Sequence, residues 1–184
     1  MKTYIALFRG INVGGYNILP MKKLKVILEN LNFKKVKTYI QSGNVVFQCI
    51  KKDSSSLSEK VSASIKKHFG FEPWILILEK SELEKAIKSN PFPEAESEPK
   101  SLHTYFLSSR MNKLNIKAFE NIKSKTERFK LKGEIFYLYA PDGIGKSKLA
   151  ANVERLIGVP VTARNWRTVL KLLEMAKEIE CQAK

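Results

Sequence analysis

The strongest constraint on this chain is that it lays down one order of elements twice. Residues 4–8 form a short apolar run with the pattern of a buried strand. Pro20 then suits the first position of a helix, and Met21, Leu24, Leu28 and Leu31 recur at helical spacing. Residues 36–40 and 44–48 are strand-like runs joined by Gln41, Ser42 and Gly43, a hairpin signal. Ser56 and Glu59 have capping-box spacing and introduce a helix with Leu57, Val61, Ile65 and Phe69 on one face. Residues 72–78 read as a fourth strand, and 81–84 open a short helix. Beyond the proline- and glutamate-rich stretch 90–100 the order repeats. Residues 102–107 form a strand, and Asn112 is expected to cap a helix with Leu114, Ala118, Phe119 and Ile122 inward. Residues 127–131 and 134–139 form a hairpin around Lys132 and Gly133. Leu149, Val153, Leu156 and Ile157 mark the next helix, and 159–163 the last strand. Asn165 then caps a final helix with Trp166, Val169, Leu170, Leu173 and Ala176 on one face.

Each round is strand, helix, strand, strand, helix, strand, the split β-α-β order of ferredoxin-like folds. The expected fold class is therefore α/β (α+β), a duplication of two ferredoxin-like βαββαβ subdomains, each with an added C-terminal helix. Residues 1–90 make the first subdomain, 91–100 the linker and 101–184 the second. Identity between the halves is slight, so what repeats is the order of elements rather than the residues.

Composition narrows the function classes. A chain of 184 residues, 43% hydrophobic and 28% charged, is a normal globular mixture and not a disordered one. Lys and Arg number 33 against 18 Asp and Glu, a formal net charge of +15 spread over both halves. That excess favours an anionic partner without naming one, and much of it is helical lysine that serves solvation. Cys49 and Cys181 are too few for a disulfide framework, and His68 and His103 add too few nitrogen ligands for zinc. The sequence calls for no cofactor and no metal. Arg9 interrupts the first apolar run before a signal-peptide core forms, and the longest strongly apolar run, 74–78, is far short of a membrane span. The expectation is a cytoplasmic protein that engages no membrane.

Topology then places the loops. With antiparallel neighbours in sheet order 4-1-3-2, the loop 9–17 and the turn 41–44 share one edge of the first subdomain. The loop 140–147 and residues 162–166 share the opposite edge of the second. The first edge carries Arg9, Asn12, Gly14, Gly15, Ser42 and Asn44. Its glycines permit close backbone approach to a ligand. Equally, the loop is an Ω-like segment closing on itself through Asn12 and Asn17.

Residues 140–147 (Ala-Pro-Asp-Gly-Ile-Gly-Lys-Ser) approach the phosphate-binding pattern Gly-x4-Gly-Lys-Ser/Thr, with Ala140 in place of the first glycine, between a strand and a helix. Backbone N–H groups, Lys146 and Ser147 there suit an anion. A nucleotide hydrolase also requires a parallel sheet and an acidic strand end to hold magnesium, whereas the following strand runs into Arg164. The plainer alternative is a glycine-rich turn into a helix capped by Ser147. Arg164 and Asn165 stand on the same edge at another helix start, where Asn165 as a cap and Trp166 as core are again the plainer reading. No catalytic set emerges, because the carboxylates are scattered and neither cysteine has an electropositive neighbour placed beside it.

Two strings carry a resemblance. Tyr4 through Gly15, Pro20-Met21 and Thr38 through Phe47 resemble the bacterial family catalogued as domain of unknown function 1697. Gly143-Ile144-Gly145, Ser147-Lys148-Leu149, Thr162 through Trp166, Thr168-Val169 and Lys171-Leu172 are similar to that family's second block. The resemblance spans nearly the whole chain and implies a duplicated α/β fold with no established activity. It also implies that the position of Lys146 is often arginine, a change that a nucleotide-hydrolysing loop tolerates poorly. Three functional expectations follow. The first is a binding module for a small phosphate- or carboxylate-bearing ligand at the loop edges. The second is a nucleic-acid-binding protein, with Tyr137 and Tyr139 offered from a sheet face. The third is an enzyme of unknown reaction.

Overall fold

The computed structural model describes residues 1–181 apart from Lys51, Asn112 and Lys113. Strands β1 (Lys2–Arg9), β2 (Lys34–Tyr39), β3 (Asn44–Cys49) and β4 (Trp74–Glu79) form one antiparallel sheet in the order β2-β3-β1-β4. Strands β5 (Leu102–Leu107), β6 (Arg128–Lys132), β7 (Ile135–Tyr139) and β8 (Val161–Asn165) form another, in the order β6-β7-β5-β8. Helices α1 (Met21–Asn30), α2 (Ser54–Phe69) and α3 (Lys80–Lys88) accompany the first sheet in sequence, and α4 (Ile116–Glu120), α5 (Lys148–Ile157) and α6 (Trp166–Cys181) the second. The chain is thus a duplicated ferredoxin-like fold.

Contacts divide it into two compact units, Met1–Glu84 with Lys171–Lys184, and Lys85–Leu170. The expected linker lies inside the second of these. There Pro93–Glu96 form a 3-10 turn, and Phe92 and Ala95 are buried.

In the first unit, Tyr4, Ala6 and Phe8 alternate along β1 onto one face, where they meet Leu24 and Leu28 of α1 and Val61 and Ile65 of α2. Ile5 and Leu7 on the opposite face are buried as well, which is why β1 reads as an unbroken apolar run. Phe33 stacks on Phe47 with ring centroids 4.4 Å apart. In the second unit, Tyr105 and Leu107 of β5 join Phe136 and Leu138 of β7 beneath Phe119 of α4 and Leu149, Val153 and Ile157 of α5.

Several local expectations are corrected. The Ser56/Glu59 capping box is not used: Asp53 caps α2, its carboxylate accepting from Ser55 N at 3.0 Å and Ser56 N at 3.1 Å. A carboxylate also gains from the positive end of the helix dipole. Asn112 lies outside the described residues, and the helix that it was expected to cap begins at Ile116, with Asn115 accepting from Ala118 N. Strands β4 and β8 each start later than their apolar runs, immediately after Pro73 and Pro160 respectively. Proline has no N–H for the ladder. On α6 the buried stripe runs through Trp166, Val169, Leu172, Ala176 and Ile179, while Leu170 is exposed.

Candidate functional site

The two loop edges start from similar material, glycine with polar residues after a strand, and end differently. In the first unit Gly14 and Gly15 take φ of 59° and 81°, turning the chain so that Val13 bridges Tyr16. Asn12 closes the loop. Its amide donates to Leu19 O at 3.0 Å and Gln41 O at 2.9 Å, and its Oδ1 accepts from Leu19 N at 2.7 Å. Asn17 Nδ2 donates to Gly10 O at 2.9 Å. Asn44 is fully buried and donates to Tyr39 O and to Ser42 Oγ. Arg9 stands at the exposed end of β1. The side chains of Asn12 and Asn44 hold the loop and turn together, and the tip presents apolar groups, Val13 and Tyr16 being 67% and 78% exposed.

The second unit's edge is concave. Hairpin pairing sets Arg128 opposite Tyr139, so the segment entering β6 lies beside the loop leaving β7. Between them is a cavity of about 540 Å³, lined by Lys123, Ser124, Lys146, Ser147 and Lys148 together with Glu127 and Asp142. Lys146 and Lys148 are exposed. Lys123 reaches back to Glu127 O at 3.4 Å and lies 3.5 Å from Glu120. Both lining carboxylates are engaged by their surroundings: buried Glu127 accepts from Ser124 N at 2.8 Å, and Asp142 accepts from the Thr126 hydroxyl. Ser147 Oγ accepts from Ala150 N at 2.8 Å, so Ser147 caps α5 while lining the cavity.

The loop does not take the form that a nucleotide hydrolase uses. Residues Ile144–Lys146 form a 3-10 turn, the N–H groups of Lys146 and Ser147 are bonded to Gly143 O and Ile144 O, and β7 is antiparallel to its neighbours. A second cavity of about 430 Å³ touches the same loop at Ala140, Pro141 and Gly143, with Glu98, Lys100 and Arg167 around it.

The remaining candidates fall outside both cavities. Partly buried Arg164 donates to Thr162 Oγ1 at 2.9 Å and Ala163 O at 2.8 Å, and burial lowers its pKa to about 10, leaving it charged at neutral pH. Asn165 accepts from Arg167 N at 3.1 Å, capping α6, and donates to Lys100 O. Trp166 is buried core, its Nε1 without a hydrogen-bond partner among the described residues. His103, paired with Asn165 in the ladder, keeps Nδ1 buried without a partner among the described residues, and its Nε2 is 3.5 Å from Asn165 Nδ2. Burial depresses its pKa to about 4. His68 is exposed at the end of α2, beside an open groove of about 410 Å³ formed with Lys22, Lys23 and Val26.

Of the residues singled out from sequence, Lys146 and Ser147 share a cavity. Arg9, Asn12, Gly14, Gly15, Ser42, Asn44, Arg164 and Asn165 line none of the three cavities. Lys100, Lys123, Lys148 and Arg167 escaped sequence reasoning. The signal for Lys123 was present in the topology, since a β6–β7 hairpin must bring the entry to β6 against the exit from β7.

Among the described residues no helix is long and apolar enough to cross a membrane, and no group of three or more His, Cys, Asp or Glu is placed to hold a metal ion. No curated protein matches the sequence significantly. A solved structure of a conserved bacterial protein from Streptococcus pneumoniae is similar: 26% identical, covering 95% of this chain and 98% of that one, with a TM-score of 0.70. A family model described as protein of unknown function (DUF1697) matches residues 1–137, the whole first sheet and the second as far as β7. On that match, this chain belongs to the family of unknown function 1697.

Proposed function

We propose that this protein is a binding module for a small anionic ligand, bearing phosphate or carboxylate, held in the second unit between the segment 121–127 and the loop 140–148. One observation carries the reading: Lys123, Lys146 and Lys148 gather on a single concavity with the hydroxyls of Ser124 and Ser147. The carboxylates that share it already accept hydrogen bonds from Ser124 N and Thr126. Its volume falls within the roughly 300–1,000 Å³ typical of small-molecule sites. The start of α5 adds partial positive charge on the same side.

The charge of +15 also favours a nucleic acid. Sheet stacking is poorly supported, however. Tyr137 is buried with its hydroxyl donating to Ala86 O at 2.6 Å, and the Arg128 guanidinium lies 4.7 Å from the centre of the Tyr139 ring.

The test is thermal denaturation at about 0.15 M salt with inorganic phosphate, simple carboxylates and short oligonucleotides. A small anion at about 100 times its Kd adds about 2.7 kcal/mol of stability. The reading expects that gain in the wild type and its loss in Lys146→Ala. It is overturned by an undiminished gain in the variant, or by stabilisation from oligonucleotides alone.

A further inference from the structure

We infer that the second unit's edge takes a small ligand with two separated anionic groups, one on each side of the turn 140–143. The inference deepens the anion-binding reading above and rests on it. The two cavities of about 540 and 430 Å³ have Ala140 and Gly143 in common, so this turn is the wall between them. The wall is fixed: Ala140 N donates to Ser101 O at 2.7 Å and Gly143 N to Ala140 O at 3.1 Å. Pro141 adds its own restriction on φ. It is also low. A Cβ built at Gly143 meets nothing within 4 Å, so a ligand passes over that point without steric hindrance.

Cations stand on both sides. Lys146 and Lys148 face the larger lobe with Lys123, and Lys100 and Arg167 the smaller. In each lobe the basic side chains outnumber the acidic ones. Arg167 brings a planar guanidinium, which binds a phosphate or carboxylate with two parallel hydrogen bonds, whereas the lysines act as point charges. Two cationic lobes separated by a fixed crest that carries no side chain at Gly143 match a compact bisphosphate or a phosphorylated carboxylic acid. A single anion occupies one lobe only.

The experiment is isothermal titration of the full chain at about 0.15 M salt. The probes are inorganic phosphate, short-chain alkanediol bisphosphates and a single-stranded oligonucleotide, each with wild type, Lys146→Ala and Arg167→Ala. Because Arg167 is exposed, its removal leaves the fold intact, which a thermal melt of each variant verifies. The expected result is a bisphosphate binding about tenfold or more tighter than phosphate, since the second contact is intramolecular once the first is made. Arg167→Ala abolishes that gain, and Lys146→Ala weakens both ligands. A bisphosphate no tighter than phosphate overturns the two-lobed inference while leaving the anion site standing. So does a gain that survives Arg167→Ala. Failure of phosphate and bisphosphate alike removes the anion-binding reading itself, and binding of the oligonucleotide alone replaces both with nucleic-acid recognition.

Discussion

The first unit's loop 9–17 and the second unit's loop 140–147 both follow a strand of a ferredoxin-like sheet, and both are rich in glycine. In the first, asparagine amides are spent on backbone carbonyls a few residues away or across the turn, as with Asn12 on Leu19 and Gln41. In the second, the long cationic side chains of Lys146 and Lys148 project from the turn and from the start of α5, and a cavity opens beside them. The difference lies in side-chain reach. A short amide close to its own backbone satisfies the loop, whereas lysine has no acceptor and too long a stem to serve the turn that carries it. Glycine and asparagine together therefore indicate closure here, and glycine with lysine and serine indicates an open edge.

This contrast can be broken in order of expected effect. Gly43→Ala should do the most damage. Its Cβ would lie 2.5 Å from Phe8 Cβ and 2.7 Å from Ile11 Cδ1, at a φ of 71° that alanine adopts only under strain. A loss of about 3 kcal/mol or more is expected in urea denaturation, and a loss below about 1 kcal/mol would show that the turn has slack. Asn12→Ala comes next. It leaves Leu19 N and O and Gln41 O without their partner, for a cost of about 2 kcal/mol, with phosphate binding unchanged.

His103 gives a pH-dependent effect of similar size. Its folded pKa of about 4 lies below the usual value of 6.5, so the unfolded chain binds the proton first. Stability is therefore full above about pH 6.5 and falls as pH drops toward 4. By pH 5 the loss is on the order of 2 kcal/mol, because each tenfold difference in proton affinity between the folded and unfolded chain is worth about 1.4 kcal/mol. Denaturation midpoints between pH 6.5 and 5 should show this slope in the wild type and not in His103→Gln; equal slopes would assign it to other groups. The smallest effect on stability is expected for Lys146→Ala, within about 0.5 kcal/mol, as for other exposed side chains. A larger destabilisation would mean that Lys146 serves the fold and not a ligand.

Much of the fold was legible. The hydrophobic periods and turn residues specify eight strands in two rounds, and the order alone yields the antiparallel 4-1-3-2 sheets that the chain adopts. What escaped was decided by local competition or by tertiary placement. Asp53 overrides a well-spaced Ser56/Glu59 pair, because a carboxylate just ahead of the helix already satisfies the first N–H groups of α2. The site was only half legible. Lys146 and Ser147 announce themselves by proximity to glycines, but Lys123, far upstream of Lys146 in sequence, joins them only through the hairpin register. Arg164 and Arg167 illustrate the same limit on one element boundary. The strand directs Arg164 onto Thr162, and the first turn of α6 carries Arg167 to the cavity rim.

The most direct test is a two-dimensional amide NMR titration of the labelled protein with inorganic phosphate, read at the glycines of both edges. The account predicts that Gly143 and Gly145 shift together with the amides of Lys146 and Lys148, in a saturable manner, while Gly10, Gly14, Gly15 and Gly43 stay in place. Shifts confined to the first-unit glycines, with the second-unit loop silent, would contradict it.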